Sequence, residues 1–122
     1  MNQERTEWRD LGISKRHRQW GVTCTATDLD FTLIEYNYWT PLALIEYKHE
    51  RTPPMYESDG NIRVISKLGT MAGIPSFACR YAEDYSWFFV VSLNKEAKAV
   101  LPNRTKMNEK EYVEFLMKLR KS

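Results

Sequence analysis

The chain reads as a single α/β domain in which a mixed β-sheet is flanked by helices. Three observations point there. Two apolar, β-branched stretches at 30–36 and 41–48 are separated by a few turn-forming residues, as in a hairpin. Apolar residues at helical spacing over 61–72 precede another strand-like run at 74–81, and a helix between two strands favours a right-handed crossover to a parallel neighbour. The segment 109–121 carries one apolar helical face, formed by Tyr112, Phe115, Leu116 and Leu119.

The elements follow in order. Residues 3–11 and 14–20 read as two short helical pieces separated by Gly12, with Ser14 as an N-cap and Gly21 as a stop. The run VTCTAT at 22–27 alternates β-branched and small residues as a strand does. Strands at 30–36 and 41–48 then flank a turn at 37–40, so the three together form a meander. Tyr36, Tyr38 and Trp39 cluster at that turn, where aromatic residues either stack on bases or close over the core. The segment HERTPPMYESDG at 49–60 carries two consecutive prolines and is a loop. In the helix 61–72, Ile62, Ile65, Leu68 and Met71 form the apolar face, and Gly73 is a C-cap ahead of Pro75. The strand 74–81 is expected parallel to 41–48. A turn at 82–86 leads into a buried strand at 87–93; the segment 95–101 is ambiguous. Asn108 and Glu111 make a capping box for the last helix.

Chemistry concentrates in the hairpin. In DLDFTLIEY (28–36) an acidic residue opens one strand, and in PLALIEYK (41–48) the sequence E-x-K closes the next. Side chains alternate along a strand, so Glu46 and Lys48 share a face about 6.6 Å apart, within reach of an aspartate on the neighbouring strand. Mg²⁺ prefers oxygen ligands and is commonly held by one or two carboxylates together with phosphate oxygens. Asp30 and Glu46 supply such carboxylates, and the Lys48 ammonium can orient a water or offset charge that builds on a phosphate. Asp30 is preferred because it directly precedes the apolar run FTLI, with Asp28, two residues earlier on the same face, as the alternative. The competing structural reading makes Glu46 and Lys48 a solvated pair at a sheet edge and the aspartates ordinary turn residues.

This arrangement resembles the PD-(D/E)XK nuclease superfamily, which includes type II restriction enzymes, small Holliday-junction resolvases and many phage and repair nucleases. The motif stands here as Leu29-Asp30, without the family proline, followed by Glu46-Tyr47-Lys48, and the resemblance extends from about Glu4 to Leu93. It implies a restriction-endonuclease-like α-β-β-β-α-β core and metal-dependent hydrolysis of DNA. By the same resemblance Asp30, Glu46 and Lys48 are catalytic, and the Tyr47 backbone carbonyl is a further ligand for Mg²⁺, with Mn²⁺ as a substitute. Glu7 or Glu4 would correspond to a glutamate that relatives carry on the first helix, and Lys67 to an accessory polar residue on the crossover helix. The alternative function on the same fold is an inactive nucleic-acid-binding or inhibitory module of phage type.

Other features set the remaining expectations. His49 lies next to the motif and is an accessory candidate, and His49, Arg51 and Tyr56 in the loop are placed to contact DNA. Net charge is only +2, but Lys15, Arg16, His17 and Arg18 form a basic cluster, as do Lys118, Arg120 and Lys121, so positive surface for a phosphate backbone is local. The 122 residues, 43% of them hydrophobic, suffice for one core. No apolar run is long enough to span a membrane and MNQERTEWRD is too charged for a signal peptide, so a cytoplasmic location is expected. Cys24 and Cys79 have no CxxC spacing and read as reduced core thiols. A GxxxxGK phosphate loop, a GxGxxG turn and a GxSxG elbow are all absent from the sequence. A compact domain covers one strand or half-site, which makes a homodimer the expected assembly.

Overall fold

The computed structural model describes residues 8–24, 26, 29, 31–52 and 60–121. Helix α1 (Trp8–Gln19) leads into a short 3₁₀ turn (Val22–Cys24), and the hairpin β1 (Phe31–Glu35) and β2 (Thr40–His49) follows. Helix α2 (Gly60–Ala72) connects to β3 (Ser76–Tyr81), which turns back into β4 (Phe88–Ser92). The chain ends with α3 (Lys95–Val100), β5 (Thr105–Met107) and α4 (Glu109–Lys121). Among the described residues the strands form one mixed sheet in the order β1-β2-β3-β4-β5.

The hairpin forms because two β-rich runs are joined by the turn at 36–39, with Phe31 paired to Ile45 and Glu35 to Thr40 across an irregularity at Leu33/Ile34. The α2 crossover then lays β3 parallel to β2, from Leu44 opposite Ser76 to His49 opposite Tyr81. β4 and β5 extend the sheet antiparallel. One face of the sheet packs on α4: Ala43, Ile45, Phe77, Cys79, Phe88 and Val90 form the core with Tyr112, Phe115 and Leu119. The other face carries α2 through Ile62 and Ile65. The capping box of α4 is present as expected, with Asn108 and Glu111 exchanging backbone-to-side-chain hydrogen bonds of 2.8 Å each.

Where α2 meets β3 the two backbones nearly touch, and Gly69 is the reason they can. A Cβ at Gly69 would lie 1.9 Å from Ser76 Oγ and 2.9 Å from the Ile74 carbonyl oxygen. Ser76 Oγ cannot swing aside freely, because it donates to the Ile65 carbonyl at 2.6 Å. Asn94 ties the same junction together: its Nδ2 donates to Ile74 O, and its Oδ1 accepts from the amides of Ser76 and Ala97, which also caps α3. Gly73, at φ 73°, ends α2 in the left-handed conformation that glycine takes without strain.

Four sequence expectations are corrected. Residues 3–11 and 14–20 are not two helices in the described part: α1 runs unbroken through Gly12 and Ser14, since a single interior glycine weakens a helix by only about 1 kcal/mol. Gly21, at φ 98°, does end it. The strand expected at 22–27 is a 3₁₀ turn over Val22–Cys24, closed by Cys24 N–H donating to Gly21 O, with Val22 88% exposed and no apolar face to pair. The first strand of the expected meander is therefore not found among the described residues of that segment. Cys24 is exposed and only Cys79 is a core thiol, both of them free. On α2 the buried face is centred on Ile62, Ile65 and Gly69, which leaves Leu68 and Met71 exposed. The sequence reading also passed over β5 and left α3 undecided.

Replacing Gly69 with Ala should destabilise the fold by about 1–3 kcal/mol, because the overpacking exceeds the gain in helix propensity. The midpoint of urea unfolding measures it, and an unchanged midpoint would show that β3 can move away from α2 at little cost.

Candidate active site

β2 is an interior strand, and its alternation separates two environments. Ala43, Ile45 and Tyr47 point to the α4 side, while Leu44, Glu46 and Lys48 point to the α2 side. Glu46 is 4% exposed, so the pair is not a solvated decoration of a sheet edge. Lys48 Nζ lies 3.7 Å from Glu46 Oε2, with the lysine side chain about one third exposed. A buried carboxylate is expensive unless hydrogen-bonded and paired. Asn61, in the first turn of α2, meets that requirement: its Nδ2 donates to Glu46 Oε2 at 2.6 Å while its own Oδ1 accepts from the Ile62 amide. The positive end of α2 thus faces the carboxylate as well.

Asp28, Asp30, Glu4, Glu7 and Tyr56 lie outside the described residues. The residue after Asp30 is nonetheless placed: Phe31 pairs with Ile45, the residue before Glu46. Among the described residues no three His, Cys, Asp or Glu side chains converge on one point. The donor chemistry that is present, a buried carboxylate oxygen beside a strand backbone, suits a hard cation such as Mg²⁺.

The remaining candidates are distributed around this centre. His49 does not join it. The alternation that puts Glu46 and Lys48 on the α2 face turns His49 the other way, where its ring meets Tyr81 and its Nε2 lies 3.6 Å from Glu83 Oε1. Arg51 is also held by Glu83, at 2.7 Å. Lys67 lines a recess of about 260 Å³ with Arg63, Ser66 and Leu93. It sits roughly 120° around α2 from Asn61, so it does not point toward Glu46. Lys15, Arg16 and Arg18 are exposed on α1. Two residues that sequence reasoning passed over do border the site. Asn61 is one, and its only signal was an asparagine at the start of the crossover helix. Arg80 is the other: it is paired with Lys48 across the parallel ladder and donates to the carbonyls of Glu50 and Thr52 as the chain leaves β2.

Behind the site, on the α4 face, Tyr47 and Tyr112 share a hydroxyl-to-hydroxyl hydrogen bond. Burial pushes the Tyr47 phenol up to about 12. Burial likewise raises Tyr112, reinforced by the neighbouring Cys79 and Tyr47, and lifts the Cys79 thiol to about 12. These groups anchor the reverse side of the strand that carries Glu46 and Lys48.

Compared with known proteins, the chain matches no family model, no curated protein and no solved structure. Among the described residues no helix is long and apolar enough to cross a membrane.

The raised phenols set an alkaline limit on stability. Folding favours their neutral form, so their contribution is complete below pH ~10, where unfolded tyrosine begins to ionise, and is lost as pH rises through about 12. In an ultraviolet titration, Tyr47 and Tyr112 should ionise only as the protein unfolds; their ionisation near pH ~10 with the fold intact would contradict this.

Proposed function

We propose that the protein is a Mg²⁺-dependent nuclease of the PD-(D/E)XK type that hydrolyses phosphodiester bonds in DNA. The observation that carries this reading is a buried glutamate on an interior strand, two residues from a partly exposed lysine on the same face, with an α-helical crossover to a parallel strand directly after. A buried, oriented carboxylate is a costly arrangement for a surface pair and a useful one for a cation site. The hairpin supports it as well. The reading requires the alternation of β1 to run one residue beyond Phe31, which would set Asp30 opposite Glu46 on the α2 face.

Each residue then has a distinct role. Asp30 and Glu46, with the Tyr47 backbone carbonyl, would hold the ion, and Asp28 is the alternative to Asp30. When bound, Mg²⁺ lowers the pKa of a coordinated water and stabilises charge on the phosphate. Lys48 orients the attacking water and offsets the negative charge that grows on the phosphate oxygens. Asn61 is a positioning residue: by holding Oε2 it fixes the rotation of the Glu46 carboxylate. Lys15, Arg16 and Arg18 supply exposed positive surface for phosphates.

Purified protein should cleave DNA in Mg²⁺ or Mn²⁺, and cleavage should vanish with EDTA and in Lys48→Ala. DNA binding without cleavage under any of these conditions would move the reading to an inactive nucleic-acid-binding module on this architecture. Asn61→Ala should lower Mg²⁺ affinity or turnover about 10- to 100-fold, the usual effect of removing a residue that orients a metal ligand. Because Asn61 also supplies a hydrogen bond to the buried Glu46 carboxylate, the variant should lose about 1–3 kcal/mol of stability as well, so affinity and turnover are compared at a temperature where both proteins are folded. Asp30→Asn should abolish cleavage and Asp28→Asn should spare it; the reverse pattern would exchange the two aspartates.

A further inference from the structure

The hairpin tip is the most exposed aromatic surface among the described residues. Tyr36, Tyr38 and Trp39 are 64%, 84% and 74% exposed, so they do not close over the core. They are also held in place. Glu35 accepts a hydrogen bond from the Tyr38 amide at 2.9 Å through Oε1 and pairs with Arg120 at 2.9 Å through Oε2. The Arg120 guanidinium lies over the Tyr36 ring, 4.8 Å from its centroid, which ties the tip to the end of α4. Trp39 adopts a left-handed backbone, φ 59°, a conformation in which a bulky residue is strained and glycine or asparagine would be the relaxed choice. A strained tryptophan directed to solvent at a braced turn points to use rather than to packing.

We infer that this tip is a binding site for unpaired nucleobases. The inference rests on the nuclease reading above and deepens it by naming the form of substrate. The tip closes the hairpin of the edge strand β1 beside an arginine, which suits rings that stack on bases next to a phosphate backbone. It belongs to the same hairpin as Glu46 and Lys48. Thr40, at the tip end of β2, stands about 20 Å from Glu46 along the strand at roughly 3.3 Å per residue, or about six base-pair steps of DNA. Because Glu46 and Lys48 face α2 while Arg120 ties the tip to α4, a strand held at the scissile phosphate reaches the tip by rounding the hairpin end, with unpaired bases beyond the cut. The preferred substrate is DNA that contains a single-stranded stretch, such as a flap, fork or bubble, over an intact duplex.

The test compares the full chain with a Tyr38→Ser/Trp39→Gly variant, in EDTA so that nothing is cut, by fluorescence anisotropy of a single-stranded oligonucleotide, a bubble and a fully paired duplex. Glycine suits the left-handed turn, so the variant should fold, and circular dichroism confirms it. The expected result is roughly ten- to a hundredfold weaker binding to single strand and bubble, with the preference over duplex lost. A Tyr38→Phe/Trp39→Phe variant, which keeps the rings, should restore that preference. Equal affinity of the parent and the Ser/Gly variant for unpaired DNA overturns the inference. So does a parent that binds no nucleic acid, or a variant whose only change is conversion of a parent dimer to a monomer in sedimentation. Metal-dependent cleavage by the parent is scored separately. Cleavage with an inert tip overturns the tip alone; tip-dependent binding with no cleavage overturns the nuclease alone.

Discussion

The alternation of side chains along β2 is the constraint on which the rest of the structure depends. One strand, bonded to β1 on one side and β3 on the other, cannot rotate without breaking both ladders. Its odd positions are committed to the core under α4 and its even positions to the α2 side. A register slip of one residue would drive Glu46 into the aromatic core and move Ile45 to the α2 side. The apolar packing of Ala43, Ile45 and Tyr47 therefore holds the carboxylate and ammonium in position, and the geometry of the site is a by-product of core formation.

The same strand explains why a carboxylate can be buried at all. Asn61 donates to it, Lys48 lies nearby, and the amino end of α2 faces it. Those partners come from two separate elements, so the site exists only once the crossover helix has docked. Docking in turn requires the bare backbone at Gly69, where Ser76 and Asn94 pack against the helix. The joint that sets the angle of α2 lies more than two turns from Asn61, yet it governs whether Asn61 reaches Glu46.

Much of this was legible in the chain, and the reasons for success and failure are physical. The hairpin, the crossover and the last helix were readable because period-2 and period-3.6 patterns report directly on which face is buried. Glu46 and Lys48 were readable for the same reason. His49 was grouped with them because it is adjacent in sequence, although the very rule that paired 46 with 48 sends 49 to the opposite face. The strand expected at 22–27 failed because local β-propensity without a neighbouring strand or a face to bury does not make a sheet. Asn61 and Arg80 were not legible, since their roles arise from pairing across a crossover that no local pattern encodes. β5 is three residues long, too short for alternation to stand out.

Arg80 also bears on how this architecture can vary. Its guanidinium fastens the carbonyls of Glu50 and Thr52, and Glu50 in turn receives the Glu83 amide, so the chain leaves the sheet through a fixed exit. Whatever length of polypeptide is spliced in after that exit begins from the same point and leaves the Lys48 end of β2 undisturbed. The clamp thus separates two kinds of evolutionary change. Changes that enter beyond Thr52 meet a fixed exit, while Glu46 and Lys48 stay under the control of the sheet.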